Sequence, residues 1–160
     1  MDITSRRKQT GKATSEKVKQ LWHDFFQKLL EMSKEKIDLD FNDKNLKYYK
    51  IQTFPDALGN RYCYTITVKR GLVELNNYHK DKEKAIFEWL KLRKDKIEKD
   101  FGGGLDWRRN DDKRNWRIVN ILEEGSLHNK ESWPNLQKNM VTAMSRIHDV
   151  LSPHLKDFFC

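Results

Sequence analysis

The densest chemistry in this chain lies in "LDWRRNDDKRNWRI", Leu105 to Ile118. Arg108, Arg109, Lys113, Arg114 and Arg117 stand there beside Trp107 and Trp116. Guanidinium forks grip phosphate oxygens and an indole can stack on a base, so the segment reads as a surface for nucleic acid. Strand alternation divides it. Trp107 shares a face with Arg109, and Trp116 shares one with Ile118. A Trp beside Ile118 and Leu105 belongs in a core, so both tryptophans are expected inside and the five cations outside. Asp106, Asp111 and Asp112 dilute the patch. A second cationic group, Arg6, Arg7, Lys8 and Lys12, could lie along phosphates as an arm.

Other reactive arrangements fail on spacing. Gly102 to Gly104 lack the Lys-Ser/Thr tail of a phosphate loop and close a helix rather than open one. Glu74 with Lys80, and Asp38 and Asp40 with Lys44, lack the strand-placed Asp and Glu-x-Lys of a metal-dependent nuclease. Glu74 reads instead as a strand-surface residue. His23, His79, His128, His148 and His154 are scattered, and no Cys-x-x-Cys occurs. Neither Ser126 nor Cys63 sits in a nucleophile's turn. No catalytic residue, metal ligand or cofactor is assigned.

These residues must be positioned by a small set of elements. Residues 1–14 are polar, basic and without period, and are expected as a flexible arm. The domain proper is expected over residues 15–160. A helix should start at a Ser15 cap, with Val18, Leu21, Trp22, Phe25, Phe26, Leu29 and Leu30 on one face, and end near Ser33 to Ile37. "KYYKIQTF", "RYCYTITVKR" and "LVELNNYH" suit strands. In the second, Tyr62, Tyr64, Ile66 and Val68 share a face. Their links are too short for crossovers, so the three form an antiparallel meander. A second helix should be capped by Asp81, with Ala85, Ile86, Trp89, Leu90, Arg93 and Ile97 inward. "LDWRR" and "NWRIVNIL" form a hairpin around Asn110 to Lys113. A last helix begins at Trp133 and Pro134, and Pro153 ends or bends it. The expected fold is α+β, in the order α-β-β-β-α-β-β-α. A five-stranded, mostly antiparallel sheet carries its helices on one face.

Composition agrees with one charged-surface domain. Hydrophobic residues are 37% and charged residues 35%, while aromatics reach 11%, which argues against disorder. The net charge of +8 favours nucleic acid, an anionic membrane or an acidic partner, and equally serves solubility. Cys63 and Cys160 make no disulfide framework, and no apolar run approaches the roughly 20 residues of a membrane span. A cytoplasmic setting without a membrane is the expectation.

The chain also resembles a family. The residues that carry it are Val73 to Leu75, Asp81 to Ala85, Ile97 with Glu98, Leu105 with Trp107, Trp133 with Pro134, and Ser152 with Pro153. From about Lys17 to Lys156 the sequence is similar to an uncharacterised prokaryotic domain of unknown function. Members of that family often follow a nuclease-like domain of the PD-(D/E)XK type in restriction or genome-defence systems. The resemblance implies a non-catalytic, DNA-associated accessory module. The 160 residues leave no room for the nuclease, so the chain is expected either as a stand-alone member or with its catalytic partner on a separate chain. The expected partner is nucleic acid, DNA first, with a separate nuclease or other defence protein beside it. The alternative is a protein-interaction adaptor or inhibitor in a defence or counter-defence system. It would present Tyr48, Tyr49, Trp133 and Phe158 as an exposed patch.

Overall fold

A computed structural model describes residues 3–159 of the chain, and the side chains of residues 15–158. The elements run α1 (Ile3–Lys36), β1 (Lys50–Gln52), β2 (Asn60–Ile66), β3 (Gly71–Asn77), α2 (Glu83–Lys91), α3 (Lys94–Phe101), β4 (Asp106–Asn110), β5 (Asn115–Leu122) and α4 (Trp133–Phe159). The strands form one antiparallel sheet in the order β1-β2-β3-β5-β4. The α+β class and the expected element order are both present.

Alternation sorts the sheet into two unlike faces. Tyr62, Tyr64, Ile66, Val73, Leu75, Trp116 and Ile118 point to the helices and share their core. Phe25, Phe26 and Leu29 of α1, with Leu136, Met140, Met144 and Ile147 of α4, complete it and are fully buried. Burying each such side chain contributes about 2 kcal/mol. A one-residue slip of β3 would bring Glu74 and Asn76 into the core in place of Val73 and Leu75, so the register is fixed by this face. Polar clasps join the two long helices to each other and to the sheet. Gln137 donates to the Phe25 carbonyl at 3.0 Å, Ser33 and Tyr64 share a hydroxyl bond at 2.9 Å, and Tyr62 and Ser152 share another at 2.7 Å.

Several local expectations change. The first helix starts at Ile3, ahead of Ser15, because nothing in the intervening sequence forbids helical backbone. Side chains through residue 14 lie outside the described residues, and with them the Arg6, Arg7, Lys8 and Lys12 arm. Val68 falls beyond β2 and is 58% exposed. The second helix is two helices. The Arg93 side chain donates to the Trp89 carbonyl at 2.8 Å, while the Arg93 amide bonds Leu90 instead. That substitution breaks the i→i−4 ladder between α2 and α3. Asp81 does not cap α2. The His79 ring accepts from the amides of Asp81 and Lys82, both at 3.2 Å. Ala85 is exposed, while Glu83 is buried. Pro153 lies inside α4, which continues to Phe159. The last turns are held because Leu155 is buried, Phe158 packs on Trp89, and Trp89 donates to the His154 carbonyl at 2.9 Å.

The triple glycine closes α3. Gly102 takes φ +94°, and its amide and that of Gly103 both bond the Glu98 carbonyl. This is the left-handed helix stop that only glycine enters without strain.

Candidate nucleic-acid interface

The face turned away from the helices is built by register. One row reads Gln52, Cys63, Glu74, Val119, Asp106; the next reads Arg61, Asn76, Arg117, Arg108. Lys50, Thr65, Leu72 and Ile121 form a third. Cys63 and Val119 are buried here yet lie outside the helix-packed core. The face is therefore polar and cationic at its surface, over a thin apolar floor.

Its centre is an ion pair. Arg117 donates from Nε and Nη2 to the two oxygens of Glu74, at 2.9 and 2.7 Å. Glu74 is 3% exposed, so the strand-surface expectation for it is corrected. The long side chains around it close over the short strand-borne carboxylate. Hydrogen bonding to Glu74 raises the Arg117 pKa, outweighing the opposing effect of burial. Asn76 Nδ2 donates to the same carboxylate at 3.2 Å, and Asn76 Oδ1, also buried, has no partner.

Aromatic rings flank the pair. Tyr49 precedes Lys50, which sits opposite Thr65 near one end of β2. Tyr78 follows Asn77, which sits opposite Asn60 at the other end. Both rings are partly exposed, at 37% and 41%. With Lys50, Cys63, Thr65, Glu74, Asn76 and Arg117 they line a pocket of about 220 Å³. Lys50 lies over the Tyr49 ring at 5.8 Å and Arg61 over the Tyr78 ring at 5.7 Å. The hydroxyl bond with Tyr48 and burial raise the Tyr49 pKa, so it stays a phenol. Burial pushes the Cys63 thiol up to about 12, which removes it as a nucleophile. Among the described residues no three His, Cys, Asp or Glu side chains gather as metal ligands.

The five hairpin cations part company. Arg108 and Arg117 come to this open face, opposite one another. Arg108 is partly neutralised by Asp106 at 2.6 Å. Arg109 is a correction: it points to the helix side, where it is 16% exposed and grips Glu83 at 2.6 Å and also meets Asp111. The reason is alternation, since Arg109 stands opposite the core residue Trp116. Arg117 is also corrected from a free exposed cation to a paired, half-buried one. Lys113 and Arg114 are exposed in the turn, where Arg114 takes φ +52°. Trp116 is fully buried, its indole donating to the Glu83 carbonyl at 2.8 Å. Trp107 is only half-buried, against Phe87. The four aromatics suggested as an adaptor patch do not gather. Tyr48 and Tyr49 meet Trp22, Trp133 meets Phe25, and Phe158 meets Trp89.

A family model matches residues 18–155 of the chain. The chain belongs to the DUF4268 family, a domain of unknown function. No curated protein and no solved structure matches it. The matched span of this DUF4268 domain contains the whole sheet and every residue of the open-face pocket. It excludes Arg6, Arg7, Lys8 and Lys12. Among the described residues no helix is long and apolar enough to cross a membrane. Lys50, Arg61, Asn76 and Tyr78 are among the members of the site that hairpin composition did not reveal. The available signal was "VELNNY", where a central strand places Glu74 and Asn76 on one face.

Proposed function

We propose that this domain is a non-catalytic nucleic-acid-binding module that holds a single strand, DNA in the first instance, across the open face of its sheet. The observation that carries this reading is the joint placement of cations and rings. Lys50, Arg61, Arg108 and Arg117 share the helix-free face with Tyr49 and Tyr78. Cations track the phosphates, and rings stack on unpaired bases without needing a fixed sequence. A duplex hides its base faces and would leave the rings unused. The net charge of +8 adds long-range attraction. The family resemblance extends the proposal to an accessory role in restriction or genome defence. Any cutting chemistry would then belong to an associated nuclease and not to this domain.

The test is a fluorescence anisotropy titration with single- and double-stranded DNA over a range of salt. Single-stranded DNA should bind more tightly, with log K falling by about 0.7 per log unit of salt for each cation engaged. Lys50→Ala and Arg61→Ala should each remove about that much slope. A flat titration with both DNA forms at low salt overturns the reading.

A further inference from the structure

Asn76 is 1% exposed and lies in the central strand of the sheet. Its Nδ2 donates to Glu74, and that bond fixes which end of the amide is oxygen. Oδ1 is left buried without a donor. Stranding an acceptor in this way carries an uncompensated desolvation penalty. A second buried acceptor without a donor, Gln52 Oε1, belongs to the same face, since Gln52 stands opposite Cys63. Both orphans occur on the face that no helix covers. An apolar residue at position 76 would remove the penalty, so the cost points to an incoming donor.

The space around Asn76 limits what that donor can be. The pocket is about 220 Å³. That is below the roughly 300–1,000 Å³ that houses whole drug-sized ligands, and it suits one planar ring system. Its rim carries two phenol rings and two cations, Lys50 and Arg117. Glu74 is already engaged by Arg117 and Asn76 and offers no free charge to a cationic guest.

We infer that the pocket receives one unpaired nucleobase, whose ring N–H or amino group donates to Asn76 Oδ1 while a tyrosine of the rim covers its face. This rests on the proposed role of the sheet face in holding a strand and adds the base edge to it. Phosphate contacts give affinity without choice of base, and the Asn76 acceptor supplies the contact that responds to the base.

The experiment compares a short oligothymidylate with the same oligomer methylated at the ring imide nitrogen. Methylation removes the donor and preserves charge and ring. Wild-type protein should bind the methylated oligomer about tenfold more weakly. Asn76→Leu, of similar shape, should bind the two equally and keep the wild-type salt slope. If Asn76→Leu does not fold, Asn76→Ala, which also lacks the acceptor, serves the same comparison, and the wild-type measurement stands without either variant. Equal wild-type affinity for the two oligomers overturns the inference and leaves strand binding intact. A methylation penalty that persists in the variant also overturns it. Failure of both oligomers to bind removes the strand-binding reading and this inference with it.

Discussion

Arg117 reaches Glu74 diagonally across β3 and β5. The register sets Glu74 opposite Val119 and Arg117 opposite Asn76, yet both guanidinium bonds, at 2.9 and 2.7 Å, go to the carboxylate. Asn76 therefore sits beneath a fork that is already occupied. Deleting the cation strands a carboxylate whose side chain is 4% exposed. Arg117→Ala should cost about 2–3 kcal/mol in urea unfolding, less than a fully desolvated pair because Arg117 is 33% exposed. A loss below about 0.5 kcal/mol would show the pair to be incidental.

Arg109 should behave as a structural residue. It joins β4 to α2 through Glu83, whose side chain is 4% exposed. Arg109→Ala should lower stability by about 2–3 kcal/mol and leave the salt slope of DNA binding unchanged. Lys50→Ala should do the reverse, with stability held within about 0.5 kcal/mol. Parallel melts and titrations on the two variants check this, and a slope change confined to Arg109→Ala would reverse the assignment of faces.

The glycines should differ. Gly102 holds φ +94°, so Gly102→Ala should cost about 1 kcal/mol. A Cβ at Gly103 meets nothing within 4 Å, and Gly103 has no positive φ, so Gly103→Ala should be neutral within about 0.5 kcal/mol. Thermal melts of the two variants should separate clearly.

Acid should loosen the α2–α4 contact. Burial first, and then the Arg93 charge, lower the His154 pKa below 6.5. The unfolded chain then binds more protons than the folded one in the window between the two values. The His154 contribution is full above the unfolded value and is lost as pH falls through the folded one. Melting temperature should drop below about pH 6.5, and His154→Gln should remove that part of the slope. Identical slopes in the two proteins would exclude His154.

Thiol chemistry offers a further check. With Cys160→Ser to leave one thiol, Cys63 should resist iodoacetamide in the native protein and react once urea unfolds it. Its pKa is raised to about 12 by burial, and it is 1% exposed. Prompt labelling of the folded protein would mean that the open face breathes.

The element order was legible because period changes are local. Tyr62, Tyr64 and Ile66 against Cys63 and Thr65 declare a two-faced strand from their own spacing. The split at Arg93 was not legible, because it depends on where one side chain finds a carbonyl. Hairpin composition likewise set all five cations outside, and it could not show that Arg109 turns to Glu83. That depends on α2 being placed beneath β4. Lys50 and Arg61 stayed hidden because they join the hairpin only through the β3–β5 seam.

That seam also governs when the surface comes into being. β1, β2 and β3 are consecutive and can pair through short turns. Glu74 and Arg117 are 43 residues apart in sequence, with α2, α3 and β4 between them. Closing so long a loop is entropically costly and is rewarded only when β5 docks. A nascent chain that has made only the meander carries Glu74 and Asn76 without their cation. The face thus completes in two stages: Lys50, Arg61 and both tyrosine rings come with the meander, and Arg117 and Arg108 join them only when β5 and β4 dock.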